Sequence, residues 1–271
     1  MTDRRRSTVS VGDGGFAAFA DDARGVSNVV GYVLVFSLVT VTIGTVFAVG
    51  ITGLEDRQEA ERVANVERAF DVFDDNLRDV QRYGDPSRST EIRLSGGTLS
   101  VPKTTSVELI NDSGGVVGGP LYSNRSLTYT NDDTTIAYES GAWFRSDGGG
   151  AVMRSEPRFV AADNRTTLPI VRMYLRGPET VDRDGTVQVA VERRAKPNLE
   201  KIADAAADDG PFDLRVRSPH AAAWRRYFDR TDGFTVNETR TDITNSTVVA
   251  DLDHSDEVFV ADAAVDIQLQ R

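Results

Sequence analysis

The sequence predicts an α+β chain in which a long N-terminal transmembrane/amphipathic helix is followed by a mainly antiparallel β outer domain with two short helices. Three observations predict it. Gly25–Leu54 contains no charged residue over 30 positions. Directly after it, Val63, Val66, Phe70, Phe73, Leu77 and Val80 recur at spacings of 3, 4, 3, 4 and 3, the period of a single helical face. From Thr90 onward, short β-branched and aromatic runs alternate apolar and polar residues between Gly, Asn and Asp turns, as half-buried antiparallel strands do.

The apolar stretch comes first in the chain's logic. Thirty residues make roughly 45 Å of helix, against a hydrocarbon core of about 30 Å. Tyr32, Phe36, Leu38, Val41, Ile43, Phe47 and Ile51 cover every side of that helix, whereas a helix on a soluble surface keeps a polar face. A buried core helix and a cleaved secretory signal are the alternatives, and the apolar part of a signal normally spans only about 7–15 residues. Arg4, Arg5, Arg6 and Arg24 precede the span, which by the positive-inside tendency places the N-terminus in the cytoplasm and the rest of the chain outside. Residues 1–24 show no apolar periodicity and no expected fold.

Composition narrows the class. The 271 residues carry a net charge of -11, from 42 acidic and 31 basic side chains, and contain no cysteine. An acidic surface repels phosphate, which argues against nucleic acid as a partner. Without cysteine there is neither a disulfide framework nor a thiolate metal site. Lysine occurs only at Lys103, Lys196 and Lys201, and this Asp-rich, Lys-poor balance resembles proteins of extremely salt-loving archaea.

Arg24-Gly25-Val26-Ser27-Asn28-Val29-Val30-Gly31, running directly into the apolar helix, resembles the processing site of haloarchaeal type IV pilins. Asn28 stands where that pattern has Pro, and Val30 where it has Ile. The resemblance implies cleavage between Gly25 and Val26 by a prepilin-type peptidase on the cytoplasmic side, leaving the helix on the product. It also implies other pilin subunits as partners. Ser27 and Gly31 lie one turn apart, as do Thr40, Gly44 and Ala48, and small residues at this spacing let helix backbones approach closely in lipid. An uncleaved single-span anchor remains the alternative.

After Leu54 the chain keeps helix-forming composition without Pro or Gly until Gly84, so one helix is expected to continue to Gly84-Asp85-Pro86; two helices hinged near Gly50 are the other possibility. The expected divisions are therefore a leader (1–25), a membrane or filament-core helix (26–54), its amphipathic extension (55–84) and an extracellular β-rich domain (85–271). Strands are expected at 91–95, 98–101, 106–110, 126–130, 134–139, 158–161, 169–175, 186–192, 212–217, 234–238, 246–251 and 258–269. Turns are expected at Gly96-Gly97, Gly114-Gly115, Gly118-Gly119 and Asp147–Gly150. Short helices are expected at Leu199–Asp208 and Ser218–Arg230, the second with Ser218 as N-cap and Pro219 at the first position.

Candidate chemistry is sparse. Only two histidines are present, His220 at a helix start and His254 in the acidic turn Asp251–Glu257. That turn offers hard oxygens suited to Ca²⁺ but lacks the EF-hand register and its Gly, so a solvated turn is expected, with no metal and no cofactor. No nucleophile elbow, phosphate loop, zinc-protease motif or dinucleotide fingerprint is present, and no enzyme is expected. Asn111, Asn124, Asn164, Asn237 and Asn245 all begin N-glycosylation sequons, and none precedes the span. The expectation is a pilin-like structural subunit in the cell membrane or a surface filament. A single-pass anchored binding module that never assembles is the alternative.

Overall fold

The computed structural model describes residues 22–271 except 118–124, 163, 183–184, 197, 206, 209 and 253–254; within the first helix, the side chains of 22–27, 50 and 52–56 are also outside the description. Helix α1 runs over Asp22–Tyr83 as one element, without a break at Gly50. It stops where expected, because Gly84 takes a φ of +68°, open to glycine at little cost. The chain divides into two units, with the boundary between Ala60 and Glu61.

In the first unit the window Asn28–Val49 has none of its surface buried. In the second, the remainder of α1 buries the stripe read from its spacing: Val63, Val66, Phe70, Phe73, Leu77 and Val80 are each at most 5% exposed.

The second unit continues with β1 (Ser87–Arg93), β2 (Thr98–Ser100), β3 (Ser106–Asn111), β4 (Leu127–Asn131), β5 (Thr134–Glu139), β6 (Ala142–Asp147), β7 (Gly150–Ser155) and β8 (Val160–Ala162). Then come β9 (Arg165–Leu175), β10 (Thr180–Val181), β11 (Thr186–Arg193), β12 (Asn198–Asp204) and β13 (Phe212–Arg217). Helix α2 (Ala221–Phe228), β14 (Phe234–Val236), β15 (Thr247–Leu252) and β16 (Glu257–Gln270) complete the chain.

These strands build three sheets. The first has the order β1-β11-β16-β9-β8, with β12 also pairing with β16; the second is β10-β2-β4-β5-β6-β7; the third is β14-β15-β13-β3. Pairing is antiparallel except between β9 and β16, which run parallel from Arg165↔Glu257 to Leu175↔Ile267. Parallel neighbours need a long crossover, supplied here by everything from β10 to β15. β16 organises the first sheet: its first half pairs with β12 and its second half with β11.

Two apolar cores result. One joins the α1 stripe to the first two sheets through Ile92, Leu99, Tyr129, Trp143 and Val189; the other gathers Trp224, Tyr227 and Phe228 of α2 with Phe212, Leu214 and Val248 of the third sheet. Gly97 is held to glycine by the first core. A Cβ there would meet the Tyr129 ring at 2.3 Å, and that ring is fixed by its hydroxyl donating to the Leu94 carbonyl at 3.0 Å.

Two expectations need correction. Leu199–Asp208 is not a short helix: Asn198–Asp204 is β12, paired with β16 from Asn198↔Asp262 to Asp204↔Glu257. The Ala-rich composition favours helix locally, but the open backbone of β16 supplies partners that local propensity cannot anticipate. Only α2 among the described residues is a short helix. Ser218 is not its N-cap, a place taken by His220 without a side-chain cap bond. The expected turn at Asp147–Gly150 closes a hairpin of β6 and β7, two strands beyond those expected.

Candidate functional site

The helix exposed in the first unit is the most conspicuous surface of the chain. Its 22 residues from Asn28 to Val49 correspond to about 33 Å, close to a hydrocarbon thickness of about 30 Å. Three polar side chains on it are satisfied internally. The hydroxyls of Thr40, Thr42 and Thr45 donate to the carbonyls of Phe36, Leu38 and Val41, each at 2.8 Å, so none of them needs water.

Gly31, Thr40, Gly44 and Ala48 are all exposed. A Cβ at Gly31 or Gly44 would meet nothing within 4 Å, so no neighbour among the described residues requires small residues there. Gly25 and Val26 lie in α1, but their side chains, like that of Ser27, are outside the described set.

The sequons lie on the β-rich unit, with Asn124 and likewise His254 outside the described residues. Asn111 accepts from the Gly115 amide and the Ser113 hydroxyl, both at 2.8 Å. The side-chain amides of Asn164, Asn237 and Asn245 donate to Asp256, Asp251 and Asp242 at 2.7, 2.9 and 2.6 Å. An N-linked amide keeps one N–H, so such a bond is compatible with a glycan. Access is what separates them: Asn164 and Asn245 are exposed, while Asn111 and Asn237 are half-buried.

Two buried polar clusters had no local signature in the sequence. Glu139 is fully buried; its Oε2 accepts from Ser218 Oγ at 2.6 Å and from the Trp224 indole at 3.3 Å, and its Oε1 contacts His220 Nδ1. The His220 ring stacks on Phe144 at 4.8 Å. Serine, histidine and a carboxylate thus meet, but not as a proton relay. Ser218 gives its proton to Glu139 rather than to the imidazole, and it is 1% exposed, whereas an activated nucleophile needs its base within reach and its oxygen accessible.

The second cluster sets Asp213 against Asp251 and Arg240. Burial first, and the Asp251 carboxyl second, raise Asp213 to about 6, against the opposing pull of Arg240. Arg240 also contacts the Asp112 carbonyl, so a guanidinium already fills the position a cation would take. Among the described residues no group of three or more His, Cys, Asp or Glu side chains is placed to hold a metal ion.

A family described as of unknown function, DUF7289, has a model that matches residues 24–268. The chain belongs to that family. The matched stretch begins one residue before Gly25 and takes in the exposed helix, the amphipathic extension and the three sheets. The match thus spans both the helix and the β-rich unit. No curated protein and no solved structure matches the chain.

Of the residues singled out from the sequence of this DUF7289 chain, Gly31, Thr40, Gly44 and Ala48 share one exposed helix, while the sequons are dispersed over the β-rich unit. Glu139 escaped sequence reading because its partners are 79 to 85 residues away. Only the apolar neighbours of Ser218-Pro219-His220 hinted that this turn is buried.

Proposed function

We propose that this DUF7289 chain is a pilin-like structural subunit without enzymatic activity. In this reading a prepilin-type peptidase cuts between Gly25 and Val26, the helix that follows is held in the membrane with its N-terminus cytoplasmic, and the β-rich domain is extracellular. The subunit then joins other pilin subunits in a type IV pilus-like surface filament, glycosylated at exposed sequons such as Asn164 and Asn245.

One observation carries the reading. Along a single helix, the first half leaves every apolar residue from Asn28 to Val49 uncovered, while the second half buries its stripe in a β core. A helix so built carries a domain on one end and offers the other to lipid or to neighbouring copies. The processing-site resemblance at Arg24–Gly31 and the start of the family match at residue 24 support the same division.

Gly44→Leu tests assembly. A Cβ at this position meets nothing within 4 Å among the described residues, so folding and insertion are expected to be unchanged. If Thr40, Gly44 and Ala48 line a contact between subunits, a leucine there overpacks it at a cost of about 1–3 kcal/mol per contact. The expected result is wild-type protein in filaments sheared from the cell surface, and Gly44→Leu retained in the membrane but depleted from that fraction. Absence of the wild-type protein from sheared filaments would favour a single-pass anchored binding module. Undiminished recovery of the variant would remove the small-residue face from the account.

A further inference from the structure

A cleft of about 550 Å³ opens where β3, β9 and the segments following β2 and β11 converge, a volume within the usual small-molecule range of about 300–1,000 Å³. Its charge is opposite to that of the chain. In a protein with a net charge of -11, the wall presents Lys103, Arg125, Arg172 and Arg194 and one carboxylate, Glu108. Glu108 is already paired, its Oε2 lying 2.6 Å from Arg215 and 2.9 Å from Arg217.

The guanidinium groups are held by carboxylates that do not line the cleft. Asp262 accepts from Arg172 Nε at 2.7 Å and also engages its Nη2. Asp266, only 5% exposed, accepts from Arg194 Nη1 at 3.2 Å. Glu179 accepts from Arg125 Nη1 at 3.3 Å. Tyr174 adds an aromatic strut, with the Arg194 Cζ 4.3 Å from its ring centroid and Arg172 Nη1 donating to its hydroxyl at 3.1 Å.

Cations fixed in this way need no ordering when a ligand arrives, which lowers the cost of binding. A guanidinium has five N–H donors, so the bond to Asp266 does not exhaust Arg194. Lys103, one of only three lysines in the chain, is exposed at the rim and has no ion pair among the described residues. Stability alone gives little reason for such a cluster, since the desolvation of partly buried ion pairs offsets much of their attraction.

We propose that this cleft binds a small oxyanion: a sugar-sized molecule bearing a carboxylate or a phosphate, the two groups that the planar fork of arginine matches. D-glucuronate and D-glucose 6-phosphate, titrated calorimetrically into the full-length chain in detergent, present the two headgroups on one kind of body, and D-glucose is the uncharged control. At least one charged sugar is expected to bind with a Kd of about 1 mM or tighter, weakening with added salt, while glucose does not bind. Which charged sugar binds more tightly identifies the headgroup.

Lys103→Gln is expected to weaken binding several-fold and Arg194→Gln about tenfold or more. The exposed Lys103 makes its variant a safe test of the site even where Arg194→Gln, by taking a partner from Asp266, disturbs the fold. Failure of both charged sugars to bind at ten times the expected Kd would overturn the proposal, as would an affinity that Lys103→Gln leaves unchanged. Neither result depends on whether the chain assembles.

Discussion

Glu139 is wholly buried, and the side chains of Ser218, His220 and Trp224 point at its carboxyl group. Deleting that carboxylate strands several buried donors, each costing about 1–3 kcal/mol when unpaired. Glu139→Ala is therefore expected to lower unfolding free energy by roughly 3–5 kcal/mol, seen as an earlier urea midpoint together with a shift in tryptophan emission. An unchanged midpoint would mean that these donors find other acceptors.

Asp213 has the opposite temper, because its raised folded value of about 6, against an ordinary 3.8, means that the native state holds a proton the unfolded chain has released. Its contribution is most favourable below about pH 4 and is lost as pH rises through about 6. Asp147, Asp242 and Glu257, all lowered by hydrogen bonds, act in the reverse sense, but they are common to wild type and variant. The melting temperature of Asp213→Asn minus that of the wild type should thus climb from pH 4 to pH 6 and level off above pH 7. A difference that stays flat across this range would contradict the raised value.

At the scale of elements, legibility depended on whether the cause was local. The α1 stripe could be read because six apolar residues keep helical spacing without interruption, and all six are buried. Phe73 sits at its centre, fully buried and edge-on to Tyr138 at 5.3 Å. Phe73→Ala is expected to cost about 3–5 kcal/mol, measured by chemical unfolding of the full chain; a loss below about 1 kcal/mol would show that α1 packs loosely on the sheets.

Clean alternation made β11 equally legible, with Val187, Val189 and Val191 buried, and β5 and β13 occupy the expected ranges. β12 was not, because Leu199 is 62% exposed, only Ile202 and Ala203 reach the second core, and the pairing with β16 is with a distant stretch of chain. β6 and β7 were hidden by the glycines around their turn. The parallel register of β9 on β16 was also beyond reach, since it joins segments some 90 residues apart. The same distance hid the cleft, whose cations come from four separate stretches of chain.

For the whole molecule, the question is how an acidic β-rich domain and an uncovered apolar helix serve one purpose. The helix is long enough to cross a bilayer and is apolar on every side; the domain has two cores of its own and needs nothing from the first unit to be buried. Anchorage alone would be satisfied by this arrangement with the segment before Gly25 still attached. In the pilin-like reading that segment is removed, which frees the helix start to pack among neighbouring copies. Peptide mass spectrometry of the protein purified from membranes therefore tests the account most directly. The pilin-like reading predicts a chain that begins at Val26, with no peptide covering Met1–Gly25; a purified membrane protein that retains Met1–Gly25 would contradict it.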